Sequence, residues 1–120
     1  MTQPQSTYAE TLAHYERVIA AFPSLERRGA KNPYTAINGN MSSYLHPRGE
    51  VALRLSAAAR EAFLGQYRTT LFEAYGVIQK EYVTVPAALL ADTEASALWF
   101  RESLAYVAAL KPRPSKKAGT

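Results

Sequence analysis

Apolar residues recur every three or four positions in three stretches of the chain, the spacing that places them on one face of a helix. These stretches cover residues 7–22, 57–67 and 94–110. Side chains that cap a helix stand at or just before each start, namely Ser6 or Thr7, Ser56, and Asp92 or Thr93. Pro23 ends the first helix, because its ring clashes with a continued helix. A short further turn of helix is expected over residues 87–90.

Strands are predicted at 34–37, 41–45 and 51–55, and a fourth extended segment covers 77–85. In the third strand Val51, Leu53 and Leu55 alternate with Ala52 and Arg54, which indicates one face on the core and one in water. Asn38-Gly39 predicts a tight hairpin between the first two strands, because both central residues of a type I′ turn need positive φ.

The predicted order of elements is therefore α-β-β-β-α-β-α, which is typical of an α+β fold. We expect one antiparallel sheet of about four strands, with the helices packed on one of its faces. The strand at 34–37 follows Pro33, which lacks an N–H, and is therefore expected at the sheet edge. Residues 24–29 are mostly polar and are expected to form an exposed linker.

The charge is distributed unevenly along the chain, which has 14 basic and 10 acidic side chains and a formal net charge of +4. Four basic residues lie in the last ten positions, which contain no acid: Lys111, Arg113, Lys116 and Lys117. Residues 1–110 therefore carry equal numbers of basic and acidic side chains. We expect a single domain over 1–110 and a disordered basic tail over 111–120. The overall basicity thus gives little support to a DNA-binding surface.

The sequence predicts neither a membrane span nor a catalytic centre. Its apolar runs are shorter than the roughly 18 residues that cross a bilayer, and no signal peptide is visible, so we expect a cytoplasmic protein. The chain has no cysteine, and its two histidines, His14 and His46, lack a second ligand at metal-binding spacing. Triad and glycine-rich phosphate motifs are also missing from the sequence. We therefore expect no enzyme activity, no metal and no cofactor.

The first candidate binding residues are Arg27, Arg28 and Lys31, which stand beside Tyr34 at the mouth of the predicted hairpin. Basic side chains next to an aromatic ring are suited to a phosphate or a nucleic-acid backbone, with the ring as a stacking surface. The alternative is a solvated linker whose arginines pair with Glu26 or Glu50. Four further residues would extend the patch across the sheet face: Tyr44, Arg54, Lys80 and Tyr82.

The second candidate feature is the content of eight tyrosines, a residue type that is enriched at interfaces. Ordinary packing in the core and at its boundary explains most of the tyrosines, whereas Tyr44, Tyr75 and Tyr82 would form an exposed platform if the second sheet face is uncovered. Glu81 is a general base if it is buried. The simpler interpretation is a cross-strand ion pair with Lys80 or Arg54.

The segment Tyr82-Val83-Thr84-Val85-Pro86-Ala87-Ala88-Leu89-Leu90-Ala91-Asp92 joins a strand to a proline, a leucine pair and an aspartate. Together with Tyr106-Val107 and the ending Leu110-Lys111-Pro112-Arg113-Pro114, it resembles the N-terminal domain of the TfoX/Sxy competence-regulator group. The resemblance is stronger to the small stand-alone bacterial relatives of unknown function and covers about residues 28–117. Where TfoX-type domains carry a Met-Phe-Gly-Gly-like phrase, this chain has Lys31-Asn32-Pro33-Tyr34. The resemblance implies an α+β domain and brings no catalytic residues.

Three functional hypotheses follow. The leading one is a non-enzymatic interaction or regulatory module that binds a protein partner or a second copy of itself. The second is weak association with nucleic acid through the basic residues near the hairpin, Arg54 and the tail. The third is small-molecule binding, or an unrecognised enzyme activity, on the sheet face around Tyr44, Arg54 and Tyr82.

Overall fold

The computed structural model describes residues 8–23, 25, 27–29 and 31–112. Within these residues the helices are α1 (Tyr8–Ala20), α2 (Ala57–Tyr67), α3 (Ala87–Ala91) and α4 (Thr93–Ala108). The strands are β1 (Arg27–Arg28), β2 (Tyr34–Ile37), β3 (Asn40–Leu45), β4 (Val51–Arg54), β5 (Leu71–Ala74) and β6 (Val77–Val85).

The six described strands form one antiparallel sheet in the order β1-β2-β3-β4-β6-β5. The helices pack against one face, where side chains from all four of them are enclosed with inward-facing sheet residues. Tyr15, Phe63, Leu90 and Phe100 supply the largest buried helical side chains of this core. The predicted α+β class and the packing of helices on one face are confirmed.

The helix boundaries lie within a few residues of the predicted ones, and two predicted caps form. The Ala59 N–H donates to Ser56 Oγ, and the Ala95 N–H donates to Asp92 Oδ1. The first helix ends at Ala20, before the predicted position, because the next two residues make tighter turn bonds to carbonyls three positions back. Ser6, Thr7 and the predicted tail from residue 113 onward lie outside the described residues.

Two strands were not predicted, and one edge assignment is wrong. Arg27–Arg28, in the segment expected to be a linker, pairs with Thr35 and Tyr34 as β1, so β2 is not at the sheet edge. Backbone hydrogen bonds form this pair, and they need no apolar pattern. The second missed strand is β5, which joins β6 through the two-residue turn Tyr75-Gly76.

A buried cluster of hydroxyl groups joins α1 to the sheet. Tyr15 and Ser43 lie 2.8 Å apart between their oxygens, and Thr35 Oγ1 lies 2.6 Å from Ser43 Oγ and 2.6 Å from Ser42 Oγ. A bulge in the pairing of β2 with β3 brings Ser42 into this cluster beside Ser43. All four side chains are almost fully buried, and each has a partner, so the cluster fixes the position of α1 on the sheet.

Candidate functional site on the sheet face opposite the helices

Strand pairing places three of the predicted binding residues side by side. Arg28 is opposite Tyr34, and Tyr34 is opposite Tyr44. Directly opposed residues of antiparallel strands share a face, and Tyr44 packs on the face away from the helices. We call the set Arg28, Tyr34, Tyr44, Arg54 and Tyr82 the tyrosine–arginine face.

Arg54 and Tyr82 belong to the next row of this face, because they are opposed in β4 and β6. The Arg54 guanidinium lies 5.8 Å from the centre of the Tyr82 ring and donates to the Met41 carbonyl at 3.2 Å. The Tyr82 hydroxyl donates to the same carbonyl at 3.3 Å. Arg54 Nε also lies 2.7 Å from Glu81 Oε1. The predicted cross-strand pair of Glu81 with Arg54 is therefore confirmed.

The end of the β5–β6 hairpin covers part of this face. Leu71 is opposite Val83, but Phe72 is opposite Gln79, so three β6 residues have no counterpart and the strand bends there. The bend brings Phe72 and Ala74 into a buried cluster with Ala52. The Phe72 ring centre lies 5.4 Å from that of Tyr44 in an edge-on arrangement. The Tyr44 hydroxyl of β3 donates to Gln79 Oε1 of β6 at 2.8 Å, and this bond fixes the hairpin against the sheet.

His46 lies beneath the tip of this hairpin, with its ring centre 5.9 Å from Phe72 and 5.4 Å from Tyr75. Its Nδ1 accepts the Arg48 backbone N–H, so Nε2 carries the proton, yet this buried Nε2 has no hydrogen-bond partner among the described residues. Burial, and then the nearby Arg48 charge, lower the pKa of His46. His46 is therefore a neutral structural residue that supports the hairpin tip.

The other predicted residues do not join the face. Arg27 points to the helix side, where its guanidinium forms a 2.9 Å ion pair with Glu16 of α1. Lys31 and Lys80 are exposed and are not opposed to any residue of the face in the described strand pairing. Tyr75 is 82 % exposed at the hairpin tip, with its ring centre 5.4 Å from that of His46.

Of the two acids expected to pair with the linker arginines, Glu50 pairs with Arg48, at 2.7 Å from Oε1 to Nε. The other, Glu26, lies outside the described residues. Sequence reasoning did not find Phe72, Gln79 or the support role of His46. The Tyr75-Gly76 pair was the available signal, because glycine at the second turn position is common in two-residue hairpins.

The electrostatics of the face favour binding over proton transfer. Burial raises the pKa of Tyr82 and of Tyr44, so both phenols are neutral and act as hydrogen-bond groups. The Arg54 hydrogen bond holds the pKa of Glu81 below its usual range, which makes this carboxylate a poor general base. No group of three metal-ligating side chains occurs among the described residues.

Comparisons with protein-family models, curated proteins and solved structures found no match to this chain. The resemblance to TfoX-type domains therefore stays an expectation from the sequence. Within the described part of the chain, no helix is long and apolar enough to cross a membrane.

Proposed function

We propose that this protein is a non-enzymatic interaction module, similar in role to TfoX-type N-terminal domains, whose tyrosine–arginine face binds an acidic segment of a partner protein. The observation that carries the proposal is the continuous row of Arg28, Tyr34 and Tyr44 on the face that the helices leave uncovered. Tyrosine and arginine are the residue types that dominate binding energy in protein interfaces.

Charge on and around the face favours an acidic partner. Arg28 and Arg54 lie on it, Lys31 and Lys80 are exposed, and the described acid Glu81 is already paired with Arg54. Complementary charge of this kind steers a partner and fixes its register.

Ring geometry favours a protein over a nucleic acid. Tyr44 lies at 69° to Tyr82 and at 77° to Phe72, so these rings do not form the parallel platform on which successive bases stack. The Tyr44 and Tyr82 hydroxyls are engaged within the domain. Phe72 fills the space beside Tyr44, which also removes room for a small molecule there.

The test replaces Tyr34 with a photo-crosslinking phenylalanine analogue in the full chain, in cells. Tyr34 is half-buried on the face, and the matched position is Glu61, exposed on α2 at the helix side. We expect one discrete protein adduct from position 34 and none from position 61. The adduct should be lost when Arg28→Glu is added.

Short duplex DNA serves as the opposing probe, in an amide chemical-shift titration near physiological salt. Unchanged amide shifts at Tyr34, Tyr44 and Arg54 would agree with the proposal. Shifts that spread over these amides would replace it by nucleic-acid binding. Equal adducts at positions 34 and 61, or none at either, would also overturn it.

A further inference from the structure

A separate groove lies on the helix side of the molecule, between the end of α1, the end of β2 and the second half of α4. Its volume is about 650 Å³, within the range of small-molecule sites. Apolar side chains line it almost entirely: Ala21, Phe22, Pro23, Leu25, Ala36, Ile37, Leu104, Ala105 and Ala108. Among the described residues that line it, Arg101 is the single charged side chain.

The α4 residues of the groove form a second stripe beside the stripe that faces the core. Arg101, Leu104, Ala105 and Ala108 have the three- and four-residue spacing of one helix face. Arg101, Leu104 and Ala108 each directly follow a residue of the buried stripe, and Ala105 and Ala108 remain exposed. The fold of the described residues therefore leaves an apolar strip that no element covers.

Arg101 is not neutralised by its own helix. The residues three and four positions away are Ala97, Leu98, Leu104 and Ala105, and none of them is acidic. Across the described chain Arg101 makes no ion pair, whereas Arg27 forms an ion pair with Glu16. A guanidinium at one end of an apolar groove matches a carboxylate, which it binds through two parallel hydrogen bonds.

We propose that this groove binds a monocarboxylate with an unbranched apolar body, in the class of medium-chain fatty acids. The carboxylate pairs with Arg101, and the chain lies along Leu104, Ala105 and Ala108, facing Phe22 and Ile37. From Arg101 to Ala108 the helix rises about 10 Å, at ~1.5 Å per residue, which sets the length of chain that the groove covers. This site shares no residue with the tyrosine–arginine face, so either proposal can fail alone.

The probes are octanoate and the neutral alcohol octanol, titrated into labelled protein while amide shifts are recorded. We expect shifts from octanoate at Ala36, Ile37, Ala105 and Ala108. Octanol should bind at least about tenfold more weakly, because it lacks the charged hydrogen bonds to Arg101. Affinity should rise about fourfold per added methylene and then level off once the chain exceeds the groove.

Two variants with matched controls decide the assignment. Arg101→Gln should reduce octanoate affinity to that of octanol, whereas Arg17→Gln, exposed on α1 outside the groove, should not. Ala105→Trp, at an exposed position, should block both probes, whereas Ala62→Trp on exposed α2 surface should block neither.

Three results would overturn the proposal. One is octanoate shifts that lie outside the groove, and another is unchanged octanoate affinity in Arg101→Gln. The third is a change in the amide shifts of the groove residues with protein concentration when no ligand is present. That result would assign the groove to contact with a second copy of the chain.

Discussion

Arg54 of β4 and Glu81 of β6 are joined across the sheet at the point where β6 bends, with 2.7 Å between Nε and Oε1. Arg54 also bonds the Met41 carbonyl of β3, so one side chain connects three strands. The pair fixes the bend that turns the hairpin over the sheet.

The first prediction concerns this ion pair and pH. The pKa of Glu81 is lowered in the folded state, so its contribution is present above the unfolded value of about 4.5 and is lost as pH falls through the lower folded pKa. Glu81→Gln should therefore lower the free energy of unfolding at pH 7, and by less than about 1 kcal/mol because the carboxylate is partly exposed. Urea unfolding at pH 7 and pH 3 measures this.

Exposed Glu61→Gln on α2 is the control for the Glu81 variant. The difference between Glu81→Gln and the native chain should be smaller at pH 3 than at pH 7, because the unfolded carboxylate is then protonated and the folded one approaches its lowered pKa. An equal difference at both pH values would show that Arg54 and Glu81 are not coupled through charge.

The second prediction concerns His46. Its folded pKa lies below the unfolded value near 6.5, so the unfolded state takes up the proton first as pH falls. Stability should be full above about pH 6.5 and should decrease below it, until pH passes the folded pKa. His46→Asn keeps an acceptor for the Arg48 N–H but does not titrate, so it should remove this slope. Unfolding midpoints between pH 7.5 and pH 5 test it.

His14→Asn provides the matched change at the other histidine, on α1, and should leave the slope intact. Arg48 opposes the protonation of His46 and Glu50 favours it. A slope that persists in His46→Asn would assign the pH dependence to a different group.

The third prediction concerns the small core under the hairpin. Phe72 is fully buried between the Tyr44 and His46 rings, with the Arg48 guanidinium 4.9 Å from its ring centre. Phe72→Ala should cost about 3–5 kcal/mol of unfolding free energy and speed amide exchange in β5. Leu98→Ala, at a side chain that is 60 % exposed on α4, should change stability by less than about 0.5 kcal/mol. Equal effects of the two variants would contradict the packing of the hairpin on the sheet.

The fourth prediction concerns the buried hydroxyl cluster. Burial raises the pKa of Tyr15, so its contribution to stability is full below about pH 10 and is lost as pH rises above that unfolded value. Tyr15→Phe should cost about 1 kcal/mol at pH 7, because Ser43 still has Thr35 as a partner. Above pH 10 the difference from the native chain should decrease or reverse. Tyr8→Phe, on the exposed start of α1, should have no such effect in the same unfolding series.

Much of the fold could be predicted because periodicity reports burial directly. Phe63 of α2 and Leu53 of β4 repeat at the spacing of their elements and lie in the core as expected. The two missed strands lack that signal. β1 has only two residues, both arginine, and the turn that starts β6 has a tyrosine at a position where asparagine is usual.

The candidate site could be predicted in composition but not in arrangement. Sheet register decides which side of a strand faces the helices. Arg27 and Arg28 are neighbours in β1 and therefore point to opposite faces, so a register error of one residue exchanges them. The coverage of the face by Phe72 depends on the irregular pairing of β5 with β6, which leaves no local pattern in the sequence. The groove at Arg101 depends on how closely α1 approaches α4, which periodicity does not report.

The last prediction compares the two tight turns of the sheet. Asn38-Gly39 and Tyr75-Gly76 have nearly the same backbone, with φ of 53° and 83° in the first and 55° and 73° in the second. A left-handed conformation costs an ordinary L-residue roughly 1–2 kcal/mol, and asparagine less, so Tyr75 holds strain that Asn38 does not. Tyr75→Asn should therefore stabilise the domain by about 0.5–1 kcal/mol, reduced by the loss of its contact with His46. The reciprocal change Asn38→Tyr should destabilise it by a similar amount. Chemical unfolding of both single variants measures the two effects, and a loss of stability in Tyr75→Asn would mean that the contact with His46 outweighs the turn strain.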